Sequence, residues 1–252
     1  VRGKYYWIEK KPSWFPVFKN LFRKNDSFGE IESQNNQAAG LYIRWLWEDS
    51  KAEIYAEYHH NDSKFNLRDL LLDSDHSRAV TVGLQKVFKI SNDNFLFSWE
   101  WTQMEQTDSR LVRNAGSWYE HNITFDGYTN KGEVLGAGIG PGSNSHYFSL
   151  NRIRDKEKLG IAIEIIDQDN DFYHDAFSSA LDSRRNWKDF NLHLSFSKKY
   201  KHLWLSSNLM CSRSVNYQWD LDDTATPYYH PGNNVNNFHM TLKIAYLIPL
   251  TN

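Results

Sequence analysis

Apolar and polar residues alternate along nine segments of this chain with the period of two that is typical of β-strands. The alternation gives each segment one apolar and one polar face; in the sixth, Leu159, Ile161 and Ile163 share a face and Glu164 lies on the other. Most of these strands have the length of about 8–10 residues that a tilted strand needs to cross a membrane. The predicted strands are Leu41–Glu48, Ala52–His60, Ala79–Phe88, Phe95–Thr102, His146–Arg152, Leu159–Ile166, Phe190–Ser197, Leu203–Asn216 and Phe238–Leu247.

The connections between these segments alternate between short and long. The short ones follow the first, third, fifth and seventh segments, and the long ones are 61–78, 103–145, 167–189 and 217–237. Tight turns at one end and long loops at the other are typical of an antiparallel up-and-down transmembrane β-barrel. A soluble β-sandwich with one wet face shows the same alternation and remains the alternative. The sorting of connections by length favours the barrel.

Outer-membrane barrels keep tight turns in the periplasm and long loops outside. Under that rule the first and last of the nine predicted strands run from the outside towards the periplasm, which places the C-terminus in the periplasm. An even strand count then needs one more strand upstream, and Lys4–Lys10 is the candidate. The sequence therefore predicts an all-β protein with about ten strands in a single domain over residues 1–252.

Composition agrees with this interpretation. Aromatic residues make up 15% of the chain, which suits either interfacial girdles or sugar-binding platforms. The net charge of −2 gives no reason to expect nucleic acid as a partner. The single cysteine, Cys211, excludes an internal disulfide framework.

The long loops hold the candidate chemistry. Aromatic rings can pack on the apolar faces of sugars while carboxylates, amides and imidazoles bind the hydroxyls. Segment 103–145 combines both kinds of side chain, and segment 217–237 repeats the combination more sparsely. The predicted carbohydrate-binding residues are Trp118, Tyr119, Glu120, His121, Asp126, Tyr128, Asn144, Trp219 and Tyr228.

Other sites are weaker candidates. The glycines of 136–142 match neither a Walker nor a dinucleotide pattern and predict a tight irregular loop. The series Asp167, Asp169 and Asp171 resembles the start of a calcium loop but lacks its Gly and closing Glu, which leaves a looser calcium site beside a solvated acidic loop. Residues Leu67–Asp73 predict a short helix. No catalytic, cofactor or metal motif is present, so no enzyme activity, cofactor or metal is predicted.

Several stretches together resemble the C-terminal part of the Wzi-type capsule assembly proteins. They are Gln37–Arg44, Ile54–Asp62, Trp118–His121, Asp126–Gly132, Leu135–Ser145, Trp187–Asn191 and Val235–His239. The resemblance implies a Gram-negative outer-membrane lectin whose barrel has about eighteen strands, with this chain as its C-terminal portion. It implies binding of capsular or other surface polysaccharide and a role in capsule assembly or attachment. Expected partners are that polysaccharide, outer-membrane lipid and other envelope or capsule-export proteins. An outer-membrane channel or translocation subunit and an outer-membrane hydrolase remain the alternative functions.

Overall fold

The computed structural model describes residues 38–61, 75–112, 114–120, 127–177, 185–220 and 232–246. The strands are β1 (Ala38–Trp47), β2 (Ala52–Asn61), β3 (Arg78–Ile90), β4 (Asp93–Gln103), β5 (Thr129–Asn130), β6 (Glu133–Val134), β7 (Asn144–Arg154), β8 (Glu157–Asp167), β9 (Lys188–Tyr200), β10 (Leu203–Val215) and β11 (Val235–Tyr246), and the helix α1 is Asn170–Phe177. None of the helical segments in these ranges is both long and apolar enough to cross a membrane.

Nine of the strands form one antiparallel sheet in the order β1-β2-β3-β4-β7-β8-β9-β10-β11, and β5 and β6 form a separate small hairpin. Every strand of the large sheet pairs with its neighbours along the chain, apart from the inserted hairpin, so the topology is up-and-down. These nine strands are the nine that alternation predicts, with ends that differ by at most three residues. The predicted strand Lys4–Lys10 and the predicted helix Leu67–Asp73 lie outside the described residues.

The two ends of the sheet differ in their connections. The short turns all lie at one end of the strands, which we call the turn end; they are residues 48–51, 91–92, 155–156 and 201–202. Ser91, Asp155 and Lys201 adopt the positive φ that two-residue hairpins require. The long connections all lie at the opposite end of the strands, which we call the loop end; they are residues 62–77, 104–143, 168–187 and 216–234. The predicted sorting of connections by length is confirmed.

The apolar face of the sheet points outward. Ile163 of β8 is 50% exposed, whereas Ala162, on the opposite face, is 6% exposed. The outer face also carries the exposed Leu192 of β9 and Leu242 of β11, while buried polar residues such as Ser149 and Asn191 lie on the inner face. No second layer packs on the outer face within the described ranges. Apolar side chains outside and polar ones inside define a membrane barrel wall rather than the sandwich alternative.

The sheet is open in the described part of the chain, where β1 and β11 are its two edges. Both edge strands run from the loop end to the turn end. Neighbouring strands are antiparallel, so the first and the ninth strand of the sheet point in the same direction. Closing them by antiparallel pairing therefore requires an odd number of further strands. The predicted total of about ten strands in this chain stays a prediction.

Candidate functional site

The long connections gather at the loop end, and six of the predicted sugar-binding residues lie there within the described ranges. They are Trp118, Tyr119, Glu120, Tyr128, Asn144 and Trp219. The other three, His121, Asp126 and Tyr228, lie outside the described residues. Trp118, Tyr119, Glu120 and Tyr128 form one group, and Trp219 belongs to a second.

Tyr119 organises the first group. Its backbone carbonyl accepts a hydrogen bond from the N–H of Tyr128 at 2.9 Å, and its hydroxyl oxygen accepts one from the N–H of Ala137 at 2.9 Å. Gly136 lies directly beneath the ring, where a Cβ would come within 2.4 Å of ring atoms. Gly127, at a φ of +54°, leaves the space beside the Tyr119 carbonyl that a Cβ would fill. The Trp-Tyr motif and the glycine stretch therefore fold as one unit.

The neighbours of Tyr119 differ in their exposure to solvent. Trp118 packs edge-to-face on Tyr119 with ring centroids 6.2 Å apart, and its buried indole N–H has no hydrogen-bond acceptor among the described residues. Glu120 is exposed, and Tyr128 is 37% exposed. Tyr128 and Glu120 are thus the members of this group that a large external ligand can reach.

Asn144 lies at the start of β7, where its side chain holds the base of the loop. Its amide donates to Glu105 Oε2 at 2.6 Å, and its Oδ1 accepts the N–H of Glu105 at 3.3 Å. Asn170 donates to the same carboxylate oxygen at 3.0 Å, and His174 Nε2 lies 3.4 Å from Glu105 Oε1. The predicted sugar contact of Asn144 remains untested, but its polar atoms already bind the chain itself.

Helix α1 begins with two carboxylates that fix it in place. Asp169 caps the helix by accepting the N–H of Phe172 at 3.1 Å. Asp171 is 1% exposed and accepts hydrogen bonds from the Gln106 N–H at 2.9 Å and the Ser117 hydroxyl at 3.0 Å. Burial raises the pKa of each carboxyl to about 6, against the opposing effect of these hydrogen bonds.

The prediction of a solvated acidic loop is therefore wrong at Asp171. The aspartates begin a helix, and the signal that would have shown it is an Asp cap followed by a second acidic residue in the first turn. The calcium alternative finds no support here, since protein donors bind both oxygens of Asp171. Among the described residues, no group of three or more His, Cys, Asp or Glu side chains is placed to hold a metal ion.

Trp219 lies in the second group, an aromatic cluster on the other side of α1. Its ring centroid is 4.4 Å from that of Phe172 and 5.2 Å from that of Trp187. Arg185 donates to the Trp219 carbonyl at 3.2 Å and lies over the Phe177 ring. Trp219 holds a φ of +58°, a rare conformation for a bulky residue that its packing maintains.

Phe172 is the residue of this cluster that sequence reasoning missed. Phe172 is 45% exposed although its ring packs against Trp219 at a tilt of 47°. The preceding residue, Asp171, bonds to the first group's loop, so α1 joins the two aromatic groups at the loop end. Exposed aromatic faces beside carboxylates are suited to binding a polyhydroxylated ligand.

An open antiparallel sheet with an apolar outer face, a polar inner face and a structured cluster of loops at one end defines a protein of the outer-membrane β-barrel class. The comparisons with known proteins make this assignment narrower. The sequence profile of the capsule assembly protein Wzi family matches residues 9–227. The chain therefore belongs to the Wzi family of capsule assembly proteins.

A solved structure supports the same fold. The chain is similar to Wzi of Escherichia coli, described as an outer membrane protein involved in group 1 capsule assembly and as a carbohydrate-binding β-barrel. The TM-score is 0.61 at 14% sequence identity, and the match covers 89% of this chain and 45% of that one. The chain thus spans less than half the length of this structural relative. No curated protein matches the chain significantly in sequence.

Proposed function

We propose that the chain is part of a non-enzymatic outer-membrane lectin whose loop end binds capsular or other surface polysaccharide and so supports capsule assembly or attachment. The observation that carries the proposal is the pair of exposed aromatic faces, Phe172 and Tyr128, that α1 and Tyr119 hold at the loop end. Family membership and the carbohydrate binding described for Wzi of Escherichia coli support the same ligand class.

The residues divide into contacts and supports in this proposal. Phe172 and Tyr128 stack on sugar rings, and the exposed Glu120 binds hydroxyls. Tyr119, against which Trp118 packs, positions Tyr128, and Trp219 packs against Phe172. His121, Asp126 and Tyr228 remain predictions from the sequence.

The hydrogen bonds that the carboxylates at the loop end accept agree with a binding function rather than with catalysis. Glu105 and Asp171 already accept hydrogen bonds from the chain's own amides and hydroxyls, which leaves them poorly placed as a general acid and base. We further propose that the loop end faces the cell exterior and the turn end the periplasm, in keeping with other outer-membrane barrels. Outer-membrane lipid surrounds the outer face in this arrangement, and envelope or capsule-export proteins are further partners.

The test is binding of the detergent-purified protein to immobilised capsular polysaccharide. Phe172→Ala and Tyr128→Ala should each weaken binding by about two- to tenfold, because each removes one stacking contact worth about 0.5–1.5 kcal/mol. Tyr200→Ala is the matched control, since Tyr200 is also an exposed aromatic residue but lies at the turn end. Binding that is unchanged in both loop-end variants, or lost equally in the control, would contradict the proposal.

A further inference from the structure

The outer face changes character near the turn end. There the apolar rows of four neighbouring strands continue into charged side chains, which we call the outer ionic cluster. The cluster consists of Asp93 on β4, Arg152 and Arg154 on β7, Glu157 on β8 and Lys198 on β9. Arg152 and Arg154 share the face of Phe148 and Leu150, which are exposed on the outer face.

The cluster is continuous. Arg152 Nε lies 3.1 Å from Asp93 Oδ2 and Arg152 Nη2 lies 3.7 Å from Glu157 Oε1. Arg154 binds Asp93 through two nitrogens, with Nη2 donating to Oδ2 at 2.9 Å. Lys198 Nζ donates to Glu157 Oε2 at 2.8 Å. Two carboxylates therefore hold three cations in fixed positions across four strands.

Exposure decides which charge an approaching molecule meets. The side chains of Arg152, Arg154 and Lys198 are 33%, 53% and 52% exposed, whereas those of Asp93 and Glu157 are 13% and 29% exposed. The cations lie over the carboxylates, and three positive groups outnumber two negative ones. Each guanidinium has five N–H donors, more than the carboxylates occupy, so donors remain free to face outward.

An apolar surface lies directly beside these cations. Phe95 on β4 and Leu159 on β8 are the cross-strand partners of Arg152. Phe88 of β3 stacks on Phe95 with ring centroids 5.6 Å apart, which widens the apolar surface. Phe95 and Leu159 thus lie level with Arg152 and one step nearer the loop end than Arg154 and Lys198, which are paired with Glu157.

We propose that the outer ionic cluster is a binding site for an anionic phospholipid of the surrounding membrane. The headgroup phosphate binds Arg152, Arg154 and Lys198, and the acyl chains pack along Phe95 and Leu159. Charge complementarity selects an anionic lipid, since planar guanidinium groups bind phosphate oxygens in pairs. The apolar surface selects a lipid over a free phosphate, because only a lipid covers both levels.

The experiment compares lipid retention by native mass spectrometry of the full chain purified in detergent. Phosphatidylglycerol and phosphatidylcholine with identical acyl chains are the probes, and sn-glycerol 1-phosphate is the competitor without chains. We expect the wild type to retain phosphatidylglycerol in preference to phosphatidylcholine. Excess sn-glycerol 1-phosphate should leave that preference unchanged.

Variants assign the site. Arg154→Gln should lower retention of phosphatidylglycerol about fivefold, the effect of removing one cation near a lipid surface. Arg154→Lys should keep most of it, which separates loss of charge from misfolding. Arg44→Gln is the matched control, because Arg44 is also ion-paired and is 54% exposed but lies on the opposite face of the sheet, and it should have no effect. Equal loss in Arg154→Gln and Arg44→Gln, no preference for the anionic lipid, or displacement by sn-glycerol 1-phosphate would each overturn the proposal.

Discussion

At the scale of single residues, Asp171 is a buried side chain that connects three parts of the loop end. Its carboxylate connects α1 to the exit of β4 through Gln106 and to the Trp-Tyr loop through Ser117. Burial disfavours the charged form and raises the pKa from 3.8 to about 6. Folding therefore shifts the Asp171 carboxyl towards its protonated form.

We predict that the loop end is less stable at pH 7 than at pH 5. Because the pKa in the folded state lies above that of the unfolded chain, the folded state binds more protons between pH 3.8 and about 6. This contribution to stability is fully present below pH 3.8 and is lost as the pH rises through about 6. Hydrogen exchange at the Gln106 amide, corrected for the intrinsic effect of pH, should show stronger protection at pH 5.

Asp171→Asn is the control for that experiment. The amide keeps an acceptor for the Gln106 N–H but has no proton to exchange in this range. Protection should depend less on pH in this variant, and the dependence that remains belongs to Asp169, whose pKa burial also raises to about 6. An unchanged pH dependence in Asp171→Asn would assign the effect to another group.

At the scale of the strands, glycines on the inner face let long polar side chains lie across the sheet. Tyr55 on β2 is paired with Gly83 on β3, which is paired in turn with Glu100 on β4. The Tyr55 hydroxyl passes over Gly83 and donates to the Glu100 carboxylate. A Cβ on Gly83 would come within 2.0 Å of the Tyr55 ring, so the contact exists only because this residue is glycine.

Gly83→Ala should therefore lower the free energy of unfolding by about 1–3 kcal/mol, the usual cost of forcing a packed side chain aside. The measurement is urea unfolding in detergent micelles. In the Tyr55→Ala background the same substitution should cost clearly less, because the colliding ring is absent. Equal costs in the two backgrounds would show that the Tyr55 ring is not the obstacle.

At the scale of the whole molecule, the arrangement of faces is inverted relative to a water-soluble sheet. Isoleucines and leucines of β8, β9 and β11 are exposed, while serines and asparagines of the inner face are buried. In water such a surface would drive aggregation, whereas in a bilayer it is the favoured contact with lipid. The described sheet therefore has the surface of a membrane protein.

Ile161→Arg tests this orientation, since Ile161 lies in the apolar row of β8 on the outer face. We expect a loss of about 2–4 kcal/mol in the unfolding free energy of the vesicle-inserted protein, the cost of arginine near the bilayer midplane. Asn208→Arg introduces the same residue at an exposed position on the inner face of β10 and should cost little. If both variants lose the same free energy, the outer face does not contact lipid.

The alternation of side chains predicted the strands well, but not their ends. Alternation predicts that β8 begins at Leu159, whereas the strand begins at Glu157. Glu157 extends the strand because it is paired with Lys198 in the ladder between β8 and β9 and its carboxylate binds the Lys198 ammonium group. Charged residues at the turn end interrupt the apolar row but keep the ladder of backbone hydrogen bonds. Alternation therefore underestimates the length of strands whose ends are charged.

The loop end was predicted less completely. The aromatic and polar composition indicated a sugar-binding surface there, but α1 and the exposed ring of Phe172 were missed. The helix has only eight residues and too few turns for periodicity to show. Composition also cannot show that Trp118 packs on Tyr119 or that the Asn144 side chain binds Glu105, because both contacts depend on how the chain folds.

The sequence by itself determined the strands, their two faces and the sorting of turns from loops, because all three follow from local alternation and from the spacing of the segments. Only the tertiary structure decided which face is exposed and which loop residues meet. Gln106 and Asp171 are 65 positions apart, and their contact exists because β4, β7 and β8 bring the two loops together at one end of the sheet. Local pattern determines each strand, whereas contacts between loops depend on how the strands are joined.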